Sequence, residues 1–167
     1  MEINPNISLR QFTQDDWLVL KLIRLEALQI NEHFFGRSYA EELMMTDDQW
    51  RSRLAGETSA MWGLYDSDTC IGLTGLFAIP DEPEAVMFIA SYIRQAYRKM
   101  GLSKLYYEAR LAWARDRGYK VARIGHRAGN VASMAANQKF GFQYTHTVNK
   151  TWHDGTQVDD LNYQLVL

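Results

Sequence analysis

The residues richest in chemical possibility form one run, Ile93-Arg94-Gln95-Ala96-Tyr97-Arg98-Lys99-Met100-Gly101-Leu102-Ser103-Lys104. It follows a segment that reads as a strand and opens a helical pattern. Free backbone N–H groups at a helix start, with the positive end of the dipole behind them, make a nest for an anion. Gly101 lets a phosphate approach the backbone, while Arg98, Lys99 and Lys104 add charge at the rim. Gly101 is not followed by Lys-Ser/Thr, so this is not the phosphate loop of nucleoside triphosphatases. A solvated basic helix start has the same composition, and the residues alone leave both readings open. The surroundings are basic too: residues 94–127 hold 10 Lys or Arg against 2 Asp or Glu, a local +8 in a chain of net −2. The remainder therefore carries −10, which points to an anionic ligand in the middle of the chain and a cationic or neutral one elsewhere.

These groups must be positioned by a single domain, residues 1–167, of 47% hydrophobic and 23% charged composition. Such composition excludes a disordered or collagen-like chain. No apolar run approaches the ~20 residues of a membrane helix, and the first residues lack the pattern of a signal peptide. The single Cys70 offers neither an internal disulfide nor a zinc framework. A cytoplasmic protein with no metal is expected.

Residues 7–12 alternate as a strand, and Thr13 caps a helix whose apolar side is Trp17, Leu20, Leu22, Leu25 and Leu28. The segment 33–36 breaks it, and capping boxes at Ser38 and Thr46 open two short helices. A β-hairpin turns at 66–68, and a third strand covers 85–93. The next helix shows Leu102, Leu105, Ala109, Ala112 and Trp113 on one face and stops at Gly118. A strand at 121–126, a helix from Asn130 to Gly141 and a hairpin turning on Asp154-Gly155 complete the chain. That order gives an α/β domain with a mixed sheet flanked by helices, not a doubly wound parallel one.

Two blocks of sequence resemble the GNAT superfamily of acetyl-CoA-dependent N-acyltransferases. Arg98-Lys99-Met100-Gly101-Leu102-Ser103 is similar to its Q/R-x-x-G-x-G/A pyrophosphate loop, with Ser103 in place of the final Gly or Ala. Asn130-Val131-Ala132-Ser133 to Lys139-Phe140-Gly141-Phe142 is similar to its Asn-x-x-Ala/Ser…Lys-x-Gly-Phe segment. Arg24-Leu25-Glu26-Ala27-Leu28, Phe35-Gly36 and Trp50-Arg51-Ser52-Arg53-Leu54 resemble one branch, and Trp152-His153-Asp154-Gly155 resembles relatives acting on small molecules or ribosomal proteins. The resemblance implies a splay between two parallel strands that admits the pantetheine arm of acetyl-CoA. It further implies backbone contacts from Ser91, Tyr92 and Ile93, a pyrophosphate site at Arg98, Lys99, Met100, Gly101, Leu102, Ser103 and Lys104, and a hydrogen bond from Asn130.

Acetyl transfer to an amine needs a neutral amine, a polarised thioester carbonyl and a departing thiolate. An alkylammonium has a pKa around 10, so something must take its proton. His126, at a strand end facing the implied splay, is the first candidate base. Glu84, ahead of the strand that would bear the thioester, is the second, and Ser133 is a candidate hydrogen-bond donor to the sulfur. Relatives place a thiolate-protonating Tyr where this chain has Asn137, and a Glu where it has Gly125. The expected activity is direct acetyl transfer from acetyl-CoA to a small-molecule or protein amine, without nucleic acid or membrane, with a homodimer left open. Glu32, Glu41, Glu42, Asp47 and Asp48 would suit a cationic acceptor. The missing Tyr and Glu motivate an alternative: a CoA-binding sensor with little catalysis.

Overall fold

Residues 2–167 are described by a computed structural model. The first strand, β1 (Ile7–Gln11), leads through one 3-10 turn into α1 (Trp17–Asn31). Thr13 holds that turn, donating its N–H to the Asp16 carboxylate at 2.7 Å. Ser38 and Thr46 cap α2 (Tyr39–Leu43) and α3 (Asp47–Ser52) with reciprocal boxes: the Ser38 hydroxyl accepts from Glu41 N–H, and the Thr46 hydroxyl from Gln49 N–H.

After this helical stretch come β2 (Ser59–Asp66), β3 (Thr69–Ala78) and β4 (Ala85–Ile93), then α4 (Ser103–Asp116). Next are β5 (Val121–Arg127), α5 (Val131–Lys139), β6 (Gln143–Thr151) and β7 (Gln157–Val166). Gly118 and Gly141, at φ of 78° and 87°, end α4 and α5. In each case the N–H groups of the glycine and of the residue after it turn back onto the last helical carbonyls, a closure that positive φ makes possible.

The strands form one sheet in the order β1-β2-β3-β4-β5-β7-β6, every pair antiparallel except β4–β5. Helices cover both faces. On one, α1 and α3 bury Leu20, Ile23, Ala27 and Trp50 against Phe12, Tyr65, Leu73 and Tyr92. On the other, Tyr107, Trp113 and Ala114 of α4 join Trp62, Leu76, Val86 and Phe88. No helix among the described residues is long and apolar enough to cross a membrane.

Two helix faces differ from the expectation. The buried stripe of α1 is Leu20, Ile23, Arg24, Ala27 and Leu28, while Leu22 is 61% exposed. The α4 stripe is Tyr106, Tyr107, Arg110, Trp113 and Ala114, with Ala112 outside it. In both helices the buried stripe contains an arginine, Arg24 in α1 and Arg110 in α4, which an apolar period does not include.

Candidate active site

The parallel pair is where the sheet opens. Strand β4 pairs with β5 from Ala85↔Val121 to Phe88↔Ile124, and beyond Phe88 no residue of β4 has a partner in β5. On its other edge β4 slips register against β3 between Leu73 and Gly75. Three steps along β4, from Ile89 to Tyr92, there match two along β3, so β4 carries one extra residue. Ala90 absorbs it at φ 61°, a left-handed conformation uncommon without glycine. The bulge turns β4 away from β5, and a gap lined by backbone follows.

Side chains lock this geometry from below. The Tyr106 hydroxyl donates to the Tyr92 carbonyl at 2.8 Å and Arg98 Nε donates to the Ile93 carbonyl at 2.8 Å. Ser91 Oγ lies 3.0 Å from Thr74 Oγ1 and accepts from Arg110 Nη1 at 3.1 Å. Arg110 is wholly buried between Phe88 and Tyr107, its guanidinium 4.3 and 4.9 Å from their ring centroids. Burial lowers its pKa to about 10, so it stays charged at neutral pH, and it makes no ion pair among the described residues. Gly72 makes room for the Tyr106 contact, since a Cβ there would fall on that hydroxyl and on the Tyr92 carbonyl oxygen.

The loop from β4 to α4 alternates in hand: Lys99 has φ 62° and Gly101 φ 75°. No side chain caps α4, and none of the N–H groups of residues 99–103 has a hydrogen-bond partner among the described residues. A Cβ on Gly101 would meet nothing within 4 Å, so the loop is open to solvent on that side. Five unpartnered donors at the positive end of a helix suit an anion such as a pyrophosphate, while Arg98 Nε is engaged by the Ile93 carbonyl and Lys104 pairs with Glu108 at 3.5 Å. Asn130 caps α5 by accepting Ser133 N–H at 3.2 Å.

A cavity of about 310 Å³ runs from this loop along the gap. Ser91, Tyr92, Ile93, Arg98, Ser103, Asn130, Ser133 and His126 line it. A second cavity of about 630 Å³ meets it through Phe34, Phe35, Phe88, Ile89, Ala90, Gly125 and His126, which line both. His126 therefore stands at the junction. Its Nδ1 lies 2.9 Å from the Arg127 carbonyl, which fixes the proton there, and its Nε2 lies 3.0 Å from the Tyr163 hydroxyl.

Of the other expected residues, Glu84 lies away from both cavities and Glu42 lines the second. Glu84 is exposed at the paired end of β4, four ladder steps before the gap, and lines neither cavity. Cys70 donates to the Gly72 carbonyl, and burial raises its pKa, so it is no thiolate. The five carboxylates expected to suit a cationic acceptor are engaged. Glu42 meets Arg24 and Arg53, Asp47 meets Lys21, Asp48 meets Arg51, Glu41 caps α2, and Glu32 accepts from Tyr39 N–H.

One pairing was missed. The Tyr107 hydroxyl donates to Asn137 Oδ1 at 2.6 Å, and both residues line the gap cavity. Asn137 is 1% exposed, and its Nδ2 has no partner. The partners stand 30 residues apart on different helices, and no local pattern announces them.

Residues 22–142 match the Acetyltransferase (GNAT) family. The chain belongs to that family. No curated protein matches it by sequence. Among solved structures, the GNAT acetyltransferase from Streptococcus pneumoniae superposes with TM-score 0.78 at 14% identity, covering 96% of this chain and 99% of that one. The protein yncA from Salmonella typhimurium, solved with acetyl-CoA, gives 0.78 at 16%, covering 97% and 94%. A Salmonella typhimurium acetyl transferase that modifies the N-terminal serine of ribosomal protein L7/L12 gives 0.75 at 14%, covering 99% and 98%. At these identities the likeness is one of fold: the GNAT sheet, with its parallel pair between two antiparallel blocks.

Proposed function

We propose that the protein transfers an acetyl group from acetyl-CoA to a primary amine by direct attack. The observation that carries this reading is the continuity of the site: an uncapped helix start opens into a gap whose far end meets a second cavity. Acetyl-CoA supplies a thioester, whose carbonyl is attacked and whose thiol departs. The N–H groups of residues 99–103 would hold its pyrophosphate, and Ser91, Asn130 and the open edge of β4 its arm. Unpaired backbone N–H groups beside the Ala90 bulge are suited to an oxyanion.

At the junction, His126 takes the amine proton through Nε2, with Tyr163 yielding its hydrogen bond or relaying the proton. Asn137 is no acid, yet its free Nδ2–H, oriented by Tyr107, offers a hydrogen bond to a departing thiolate. Burial pushes the Tyr107 phenol up, so this hydroxyl orients the amide and keeps its own proton. The Ser133 hydroxyl, unbonded among the described residues, is a second donor.

Gly101→Asp tests the cofactor site by placing a carboxylate among the free N–H groups. Acetyl-CoA affinity by calorimetry should fall at least tenfold, about 1.4 kcal/mol. An unchanged affinity in the folded variant would remove the assignment. Tight acetyl-CoA binding without thiol release across a broad amine panel would instead leave a CoA sensor.

A further inference from the structure

The second cavity is charged in the opposite sense to the one expected of an acceptor site for a cationic amine. Arg24, Arg37, Arg53, Arg127 and Lys150 line it, against Glu42 and Asp160. Two of these cations are matched one to one: Arg127 with Asp154 at 3.0 Å, outside the cavity, and Lys150 with Asp160 at 3.3 Å. The others are not. Arg24 grips Glu42 through Nε and Nη2 at 3.0 and 3.1 Å, while Arg53 grips the same carboxylate at 3.1 and 3.2 Å. Arg37 has no ion pair among the described residues.

Two guanidiniums on one carboxylate leave a net positive charge at a site where Glu42 is 1% and Arg24 8% exposed. Arg24 Nη1 is buried and has no partner, although the guanidinium stacks on Phe35 at 4.8 Å. An uncompensated charge beside a buried pair costs stability, and a ligand carboxylate that meets Arg53, whose side chain is 29% exposed, would offset it. Guanidinium forks also match carboxylates in shape. Leu20, Phe34, Phe35, Met61, Phe77 and Trp152 make much of the remaining wall apolar, with Ser52, Ser59, His126 and Asn162 as its other polar groups.

We infer that this cavity takes the acceptor as an anionic amine, an apolar amino-carboxylate of the amino-acid type. Its carboxylate meets the Arg24–Glu42–Arg53 cluster, its apolar body the aromatic wall, and its amino group turns toward the bulge and His126. A polyamine would bring further positive charge to a cluster that already has an excess. The inference rests on the acetyltransferase reading for the direction of the amine, but the anion site stands on its own contacts.

The test separates the two. Calorimetry compares N-acetyl-phenylalanine, N-acetyl-tryptophan and N-acetyl-leucine with their uncharged amides, both without CoA and at saturating CoA. At least one acid should bind tenfold or more tighter than its amide. Arg53→Gln should cut that preference to under threefold, and Arg53→Lys should restore part of it. In thiol-release assays, phenylethylamine should show a KM at least tenfold above that of phenylalanine, with kcat little changed. Equal binding of every acid and amide, binding of none, or a preference that survives Arg53→Gln overturns the inference. If Arg53→Gln does not fold, the wild-type comparison decides alone. A protein that acetylates phenylethylamine or a polyamine as well as phenylalanine also overturns it, while leaving the acetyltransferase reading intact. Loss of acetyl-CoA binding would remove that reading, and the CoA-free comparison of acids and amides would still judge the anion site.

Discussion

Asn137 and Tyr107 share one short hydrogen bond at the position where the family resemblance implies a tyrosine, and the chemistry available there changes with it. An amide cannot deliver a proton, but a thiol of pKa about 8.5 leaves tolerably as its anion and gains from a nearby N–H. Tyr107→Phe should lower kcat about tenfold with acetyl-CoA affinity unchanged, and thiol release at saturating acetyl-CoA measures it. The same change strands a buried amide oxygen, costing about 1–3 kcal/mol of stability, read by denaturant unfolding. His126→Ala should depress kcat and spare acetyl-CoA binding; a full-rate variant would return the imidazole to a packing role beside Tyr163. The loop before α4 was legible in the sequence as a glycine-bearing helix start with flanking charge, because each of those features is local. Tyr107, Arg110 and the Arg24–Glu42–Arg53 cluster were not, because each is defined by contacts between separate elements.

The cluster also works as a three-way joint between elements. Glu42 of α2 holds Arg24 of α1 and Arg53, which follows α3, so one carboxylate fixes the helical layer over the sheet. Glu42→Gln would leave two guanidiniums facing each other in a buried site. A loss of about 3–5 kcal/mol is expected, the range for breaking a buried pair by removing one partner. Gly72→Ala should destabilise through another element contact, because the new methyl displaces Tyr106 from the Tyr92 carbonyl and disturbs the bulge beside it. A variant that kept both its melting temperature and its kcat would show that β4 does not need that prop. The succession of strands and helices along the chain was legible, since turns and caps are encoded within a few residues. Helix faces were less so, because a buried arginine breaks the apolar period used to assign them.

Charge couples the whole molecule to pH through two paired carboxylates. Hydrogen bonds from Arg94 hold Glu26 below its ordinary 4.5, with burial opposing and Tyr92 helping. Burial alone would raise Glu42, but hydrogen bonds from Arg24 and Arg53 outweigh it and bring it below 4.5 as well. A folded pKa below the unfolded one stabilises above the unfolded value and loses that contribution as pH falls through the folded one. The melting temperature should therefore drop progressively once the pH passes below about 4.5, and more shallowly in Glu42→Gln. The sheet has its own weak line. Six pairs join β3 to β4 and seven join β5 to β7, but only four parallel pairs join the two blocks between them. The blocks can breathe about that seam without parting an antiparallel ladder. Deuterium uptake at residues 85–88 and 121–124 should thus run ahead of uptake in β2 and β3. A coenzyme spanning the gap would act as a rivet, and uptake along the seam should slow when CoA is added.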